Sequence, residues 1–396
     1  MKSCNIIKGL ILFVFANVFT IVPCSSRNVP VKKDFKIIKA QYQQMAEKNT
    51  DVNCVPRTIN KEGKPICTDI EDWTSGFFAG SLWYIYDYTK SGKWRAEAEK
   101  RTVALEPLRN FTGHHDIGFM VYCSFGNGYR LTGNPQYKEI IADAANSLAT
   151  RFDPRVGLIR SWDNIHLRDS EYLVIIDNMM NLELLFEAAK ITGNNHLYDI
   201  AVSHADKTLK HHYRPDFSSY HLVDYDSITG EPRRKMTVQG LADSSAWSRG
   251  QAWGLYGFTI CYRETKDKRY LDQAVNIADF ILNHPNLPED KVMYWDFDAP
   301  GIPNEERDVS ATTIAASGLL ELSKYVSPDD RKRFFSAAEE MLVSLSGPDY
   351  LAKKGENGNF ILKKSVGSRR HNSEVGVPLN YADYYFLEAL IRYDRY

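Results

Sequence analysis

Leu131-Thr-Gly-Asn-Pro-Gln-Tyr137 and Ile191-Thr-Gly-Asn-Asn-His-Leu-Tyr198 are two copies of one phrase. In each, an apolar helical pattern stops at a glycine, an asparagine restarts the chain, and an aromatic opens a second helical pattern. Lys90-Ser-Gly-Lys-Trp94 is a third copy, with weaker ones at Glu264-Thr-Lys-Asp-Lys-Arg-Tyr270 and Tyr325-Val-Ser-Pro-Asp-Asp-Arg331. Gly92, Gly133 and Gly193 fit the position just past a helix end, where a left-handed residue stops the helix. Asn and Pro then suit a new start. Internal repeats of this kind set the whole fold, so everything else is placed around them.

Before each phrase lies a helical pattern apolar nearly all round: Phe77–Tyr88, Ile117–Leu131, Met179–Ile191, Gln251–Arg263 and Ser310–Tyr325. After each lies a one-sided stripe, such as Ile140, Ile141, Ala144, Ala145, Leu148 and Ala149. A helix apolar all round must be buried, and a striped one faces water on one side. Alternating the two gives an inner and an outer ring. A sixth apolar pattern, Tyr381–Tyr393, ends the chain without an outer partner, and an unpaired striped helix, Val31–Lys48, stands at the front. Docked together they complete six pairs. The expected fold is all-α, an (α/α)6 barrel of six inner and six outer helices, in one domain over 31–396. Strand signals are sparse, Gly358–Lys363 being the best of them.

The chain has 396 residues, 43% hydrophobic and 25% charged, which suffices for a large core. A net charge of −1 gives no electrostatic support to a nucleic-acid partner. Lys2 and Lys8 precede an apolar run, Gly9 to Val22, too short for a mature membrane span. Residues 1–24 therefore read as a secretory signal peptide, and the protein as exported, periplasmic or outer-membrane-attached in a bacterium. Cys24 stands where a bacterial lipoprotein carries its lipid anchor, although Pro23 is an unusual residue beside such a site. Cys54 and Cys67 flank a short Pro/Gly-containing loop and could form a disulfide in an oxidising compartment. Cys123 and Cys261 lie in apolar helical patterns and read as buried thiols. No Cys/His spacing suits zinc.

In such a barrel all inner helices point one way, so the loops entering them share one mouth. Those loops collect Asp72-Trp73, His115-Asp116, Trp162, Asp177-Asn178, His221, Gln239, Trp247 to Trp253 with Arg249 between, Trp295-Asp296, Arg307-Asp308, Arg369 to Asn372, and Tyr381. Carboxylates, histidines, arginines and indole faces together suit an acidic sugar. Each also has a plainer reading: Asp177 can be a helix N-cap, and Arg249 a buried charge held by a structural partner.

The motifs Asp72-Trp-Thr-Ser-Gly-Phe77, His114-His-Asp-Ile-Gly-Phe119, Ile176-Asp-Asn-Met-Met-Asn-Leu182, Tyr220-His-Leu-Val-Asp-Tyr-Asp226, Thr237-Val-Gln-Gly240 and Ser245-Ala-Trp-Ser-Arg-Gly-Gln-Ala-Trp253 occur in order. With Ser161-Trp162 and Asn380-Tyr-Ala-Asp-Tyr-Tyr-Phe386, the chain from about Asp34 onward resembles the unsaturated glucuronyl hydrolases, glycoside hydrolase family 88. The resemblance implies hydration of the C4=C5 vinyl ether of an unsaturated uronate at the non-reducing end of a lyase-made oligosaccharide. Asp177 would protonate C4 and then activate the water that attacks C5, and Asp116 would bind ring hydroxyls and hold Asp177. His115, His221, Gln239 and Tyr381 would position substrate, Trp73, Trp162 and Trp253 would stack on rings, and Arg249 would lie near the uronate. Ser365, Ser368 and Arg370 look like the pattern with which some members accept sulfated glycosaminoglycan fragments; Arg370 stands where Lys is commoner, and a solvated basic loop is the plainer reading.

No metal or cofactor is called for, since proton transfer and electrostatics suffice. The carboxylate-separation rule of ordinary glycosidases does not apply, because one residue does both acid and base work. One conflict stands. A neighbouring carboxylate favours a protonated Asp177, whereas a helix N-terminus favours the anion. An unsaturated rhamnogalacturonyl hydrolase, a sugar epimerase using paired histidines, and a glycan-binding lipoprotein without catalysis are the alternatives.

Overall fold

The computed structural model describes residues 28–163 and 171–396; the leader with Cys24 lies outside them. Twelve α-helices occur among the described residues: α1 Val31–Lys48, α2 Ser75–Thr89, α3 Gly92–Val103, α4 Asn127–Thr132, α5 Pro135–Ala149, α6 Leu182–Thr192, α7 Asn195–His211, α8 Ser248–Thr265, α9 Lys268–Asn283, α10 Val309–Leu322, α11 Pro328–Leu345 and α12 Asn380–Asp394. Helices α2, α4, α6, α8, α10 and α12 are the inner ring, which closes where α12 meets α2. The other six form the outer layer. As expected, α1 covers the closure: Phe35 stacks on Tyr88 of α2, and the Tyr42 hydroxyl donates to Asp383 of α12 at 3.2 Å. The (α/α)6 barrel is the observed fold.

The repeated phrase works through its cap more than its glycine. Gly133 and Gly193 are left-handed, φ 66° and 73°, and the side chains of Asn134 and Asn194 accept the N–H groups of Gln136 and His196. In the third copy Gly92 is instead the first residue of α3, and Lys90 (φ 54°) takes the left-handed place. Lys266 (φ 61°) does the same before the cap Asp267. The fifth copy has the Ser327 cap without a left-handed residue. In the other four the common element is a left-handed residue, a cap position and a helix start, although Ser91 makes no side-chain cap bond. The glycine moves within it because a single left-handed residue costs a side chain only about 1–2 kcal/mol.

Two inner patterns depart from a plain α-helix. Gly118–Gly126 is a π-helical segment leading into α4. Its Phe119 N–H is taken by Asn181 Oδ1 at 3.0 Å, and a β-carbon on Gly118 would lie 2.6 Å from the Asn181 Cα. The pattern over Met179–Ala189 is preceded by a 3-10 turn, Ile176–Met180, with α6 starting only at Leu182. The π segment is wider than an α-helix and the 3-10 turn tighter, and departures of both kinds tend to occur at functional sites.

Short antiparallel strands decorate the mouth: β1 Val55–Ile59 with β2 Pro65–Thr68, β3 Phe152–Asp153 with β4 Leu158–Ile159, the sheet β5 Glu171–Ile175, β6 Leu222–Asp226 and β7 Pro232–Met236, and the hairpin β8 Ser365–Ser368 with β9 Ser373–Val377. The expected strand Gly358–Lys363 is not among them; Asn357–Asn359 is a 3-10 turn and Leu362 makes one isolated bridge to Leu351. Cys54 and Cys67 are disulfide-bonded across the β1–β2 hairpin, and Cys123 and Cys261 are buried thiols.

The inner helices approach closely through glycines. A β-carbon on Gly80 would stand 2.5 Å from both the Cys123 carbonyl oxygen and the Tyr384 ring, and one on Gly257 2.5 Å from the Met179 Cβ. Gly80→Ala would gain about 1 kcal/mol of helix propensity, but the Cys123 carbonyl belongs to the backbone and cannot rotate away. We expect a net loss of about 2 kcal/mol, read as a lower denaturant midpoint at unchanged slope. Gly92→Ala, with nothing within 4 Å, should be neutral or stabilising by up to about 1 kcal/mol in the same assay.

Candidate active site

The three-stranded sheet delivers three site residues to one place. Ile175 pairs with Leu222 and Leu222 with Met236. Asp177 follows β5 directly, His221 precedes β6, and Gln239 follows β7. The Ile176 N–H donates to the His221 carbonyl at 2.9 Å, and Ser161 Oγ accepts the Ile175 N–H at 3.0 Å. Asp177 therefore stands in the 3-10 turn and caps no helix with its side chain. The N-cap reading is corrected: the turn places the carboxyl inward, where the helix N–H groups do not reach it.

Asp177 is buried, and its Oδ2 has no hydrogen-bond partner among the described residues. Burial drives its pKa up to about 7, with Arg249 pulling down and Asp116 pushing up. Burial, which the sequence did not expose, thus outweighs the helix terminus and joins the neighbouring carboxylate. His221 Nε2 stands 3.7 Å from Oδ2. The His221 Nδ1 accepts the N–H of Val238 at 3.0 Å, so the proton of the neutral ring sits on Nε2, facing Asp177. Burial and then Arg249 lower the His221 pKa to about 3, keeping the ring neutral.

Asp116 has the opposite surroundings. His114 Nδ1 lies 3.2 Å from one oxygen and His115 Nε2 3.4 Å from the other. Burial works against its charge, but His115, His114 and the Asn181 side chain outweigh it and hold the pKa below the usual carboxylate range. His115 is wholly buried, and burial lowers it to about 4. For His114, burial is overcome by the hydrogen bond and charge of Asp116, which raise it. His114, Asn181 and the role of Asn178, whose side chain acts on His115 while donating to the Ile159 carbonyl at 2.9 Å, went unassigned in the sequence reading. The Asn-Met-Met-Asn spacing over 178–181 was the available signal.

The remaining residues divide by exposure. Trp73 is half-buried, its ring 4.9 Å from that of the fully buried Tyr381, and Trp162 is half-buried with its ring 6.2 Å from His221. Trp253 has no exposed surface and packs between Phe119 and Tyr385. It offers no free face for a sugar ring; only its indole N–H is turned to Asp177. Arg249 is buried and committed: it bonds Asp308 at 2.9 Å and the carbonyls of Val366 and Gly367, and Gln239 Oε1 lies 3.5 Å from it. Ser365 is buried with a hydroxyl that has no partner among the described residues, Ser368 Oγ bonds His371 Nδ1 at 2.8 Å, and the exposed Arg370 donates to the Thr237 carbonyl at 3.5 Å.

One carboxyl group raised to about 7 and one held below the usual range, at the same mouth, can divide proton donation from charge stabilisation. Residues 46–264 match the family model Glycosyl Hydrolase Family 88. An unsaturated glucuronyl hydrolase of Formosa agariphila is 42% identical over 392 residues, 96% of this chain and 97% of that one. The crystal structure of an unsaturated glucuronyl hydrolase specific for heparin superimposes with a TM-score of 0.89 at 46% identity, covering 92% of this chain and 97% of the other. A variant of the Streptococcus agalactiae unsaturated glucuronyl hydrolase, solved in complex with dGlcA-GalNAc6S, superimposes at 0.78 with 31% identity, covering 91% and 90%. By sequence and by fold, this chain belongs to glycosyl hydrolase family 88.

Proposed function

We propose that the chain, a glycoside hydrolase, removes the 4,5-unsaturated uronate from the non-reducing end of glycosaminoglycan-derived oligosaccharides, with Asp177 as acid and base. The observation that carries this is the contrast between the two carboxyl groups: Asp177 is buried with its Oδ2 unpartnered among the described residues, whereas Asp116 is flanked by two histidines and Asn181. The protonated Asp177 gives its proton to C4. Positive charge develops on C5, shared with the ring oxygen, and the ionised Asp116 stabilises it. Water attacks C5 and passes a proton to the Asp177 carboxylate, which restores the acid. The hemiketal then opens and releases the remaining sugar with its hydroxyl intact. The Nε2–H of His221 faces the Asp177 anion during the step in which it exists.

His115 and His221 are held neutral around pH 7, so neither is the cationic acid that an epimerase would use. The sugar platform is best supplied by Trp73 and Trp162, both part-exposed at the mouth. Ser365, Ser368 and Arg370 on or beside β8 offer hydroxyls and a planar cation to a sulfate, which favours sulfated fragments. Export, to the periplasm or the outer membrane, is supported by the apolar leader and by the Cys54–Cys67 disulfide, with Cys24 as the residue that would carry lipid.

The test follows the near-ultraviolet absorbance of the conjugated C4=C5 bond. Lyase-made disaccharides of chondroitin, heparin, hyaluronan and rhamnogalacturonan are incubated with wild type and Asp177→Asn. Wild type should bleach a glycosaminoglycan product, and Asp177→Asn should be slower by at least about a thousandfold. No bleaching of any substrate sinks the reading, and bleaching of the rhamnogalacturonan product alone moves it to that substrate class. Because Asp177 must arrive protonated, kcat/KM should fall as pH rises through about 7. Asp116→Asn removes a charge that raises the Asp177 pKa, so in that variant the fall should begin at lower pH, with activity reduced roughly a hundredfold.

A further inference from the structure

Asp308 is wholly buried and serves two partners at once. Its Oδ1 caps α10, accepting the N–H groups of Ser310 at 3.0 Å and Ala311 at 3.4 Å. Its Oδ2 accepts Arg249 Nη1 at 2.9 Å. The same guanidinium crosses to β8, donating to the Val366 carbonyl and, at 2.7 Å, to the Gly367 carbonyl. The backbone returns the contact: Val366 N–H reaches Asp308 Oδ1 at 3.4 Å, and Val309 N–H the Lys364 carbonyl at 3.3 Å. One buried ion pair therefore joins the starts of α8 and α10 to the strand that carries Ser365 and Ser368. The guanidinium also lies over the rings of Trp247 and Tyr381, at 4.6 and 5.4 Å, which fixes its plane.

We propose that Asp308 is a positioning residue that couples the β8–β9 hairpin to the Asp177 pocket through Arg249, so that substrate reading at the hairpin and proton donation at Asp177 are set together. This rests on the hydrolase reading above. The physical argument has two parts. Arg249 offers a rigid fork: Nη1 is shared between Asp308 and the Val366 carbonyl while Nη2 takes the Gly367 carbonyl, so Asp308 fixes the plane in which both strand carbonyls are held in register. Arg249 is also a cation acting on Asp177, because the start of α8 packs on the turn that carries the acid: a β-carbon on Gly250 would lie 3.3 Å from the Ile176 side chain. The other charged or titratable groups around Asp177 are Asp116 from the turn before the π segment and His221 from just before β6. Asp308 cancels part of that cation's field. Without it, a buried positive charge is left unbalanced beside the acid.

The hairpin has a second, independent clamp. Arg57 of β1 bonds Glu374 of β9 through Nε at 2.6 Å and Nη2 at 2.9 Å, and also pairs with Asp72 beside Trp73. Loss of the Asp308 charge should therefore loosen β8 and leave the hairpin attached. Asp308→Asn is the discriminating change, since asparagine keeps an oxygen to cap α10 while removing the partner of Arg249. Ser327→Ala is the control: Ser327 caps α11, accepting the Asp330 N–H at 3.2 Å, and touches nothing at the mouth.

Wild type, Asp308→Asn and Ser327→Ala are compared on sulfated and unsulfated unsaturated disaccharides across pH, with the melting temperature of each recorded. For Asp308→Asn the alkaline fall of kcat/KM should move down by about one pH unit. Its KM should rise about tenfold more on the sulfated substrate than on the unsulfated one. Ser327→Ala should lose melting temperature only. An Asp308→Asn enzyme with the wild-type pH profile, or a Ser327→Ala enzyme with the same changes, overturns the coupling. Should Asp308→Asn not fold, Arg249→Lys keeps the cation and loses the fork: sulfate discrimination should fall with the pH limb unmoved, and wild-type discrimination would overturn the proposal. A wild type inactive on every substrate fails the hydrolase reading instead.

Discussion

Closing six apolar helices into a ring leaves no room for an unpaired charge along its walls, and that constraint organises the rest of the molecule. Polar groups inside must either find partners or gather at an end. Towards the end away from the mouth they find partners. Arg263 bonds Glu183, Glu264 and Glu321, Arg392 bonds Glu321, and the hydroxyls of Tyr84 and Tyr256 both donate to Glu388. There burial works against the charge of Glu321, but Arg392 and Arg263 outweigh it and hold the pKa at about 2. The cavity at that end, about 400 Å³, is lined by charges of both signs that largely satisfy one another.

At the N-terminal end the same burial is left partly uncompensated, and the proposed chemistry uses that difference. Asp116 is surrounded much as Glu321 is, by groups that favour its anion. Asp177 has a distant neutral imidazole, an indole N–H and an arginine already committed to Asp308. Two carboxyl groups of the same chemical type are thereby driven apart in pKa by their surroundings, Asp177 up to about 7 and Asp116 below the usual carboxylate range. The strands contribute by aim: a short sheet laid over a helical barrel brings residues 177, 221 and 239 together although they are far apart along the chain.

Much of the architecture was legible before any coordinates, because helix burial is written in periodicity. The all-apolar and striped patterns separated inner from outer helices, and the unpaired Val31–Lys48 and Tyr381–Tyr393 segments dock as expected. Where the reading failed, the cause was local backbone choice. The left-handed position fell on Lys90 because Ser91 serves as the cap position there, and the π segment and the 3-10 turn meet where Gly118 and Phe119 contact Asn181, which is their neighbour only in space. The β5–β6–β7 sheet was missed because its edge strand, Pro-Arg-Arg-Lys-Met, has no apolar alternation to betray it.

The sequence by itself determined which helices face inward, which end of them carries the acids, and to which family the motifs belong. These are properties of local pattern, and pattern survives without a third dimension. Only the tertiary structure decided the charge state of Asp177, the commitment of Arg249 to Asp308 and β8, and the burial of Trp253. Each of those depends on how much water reaches a group and which distant group replaces it. Solvation and long-range pairing are set when the ring closes.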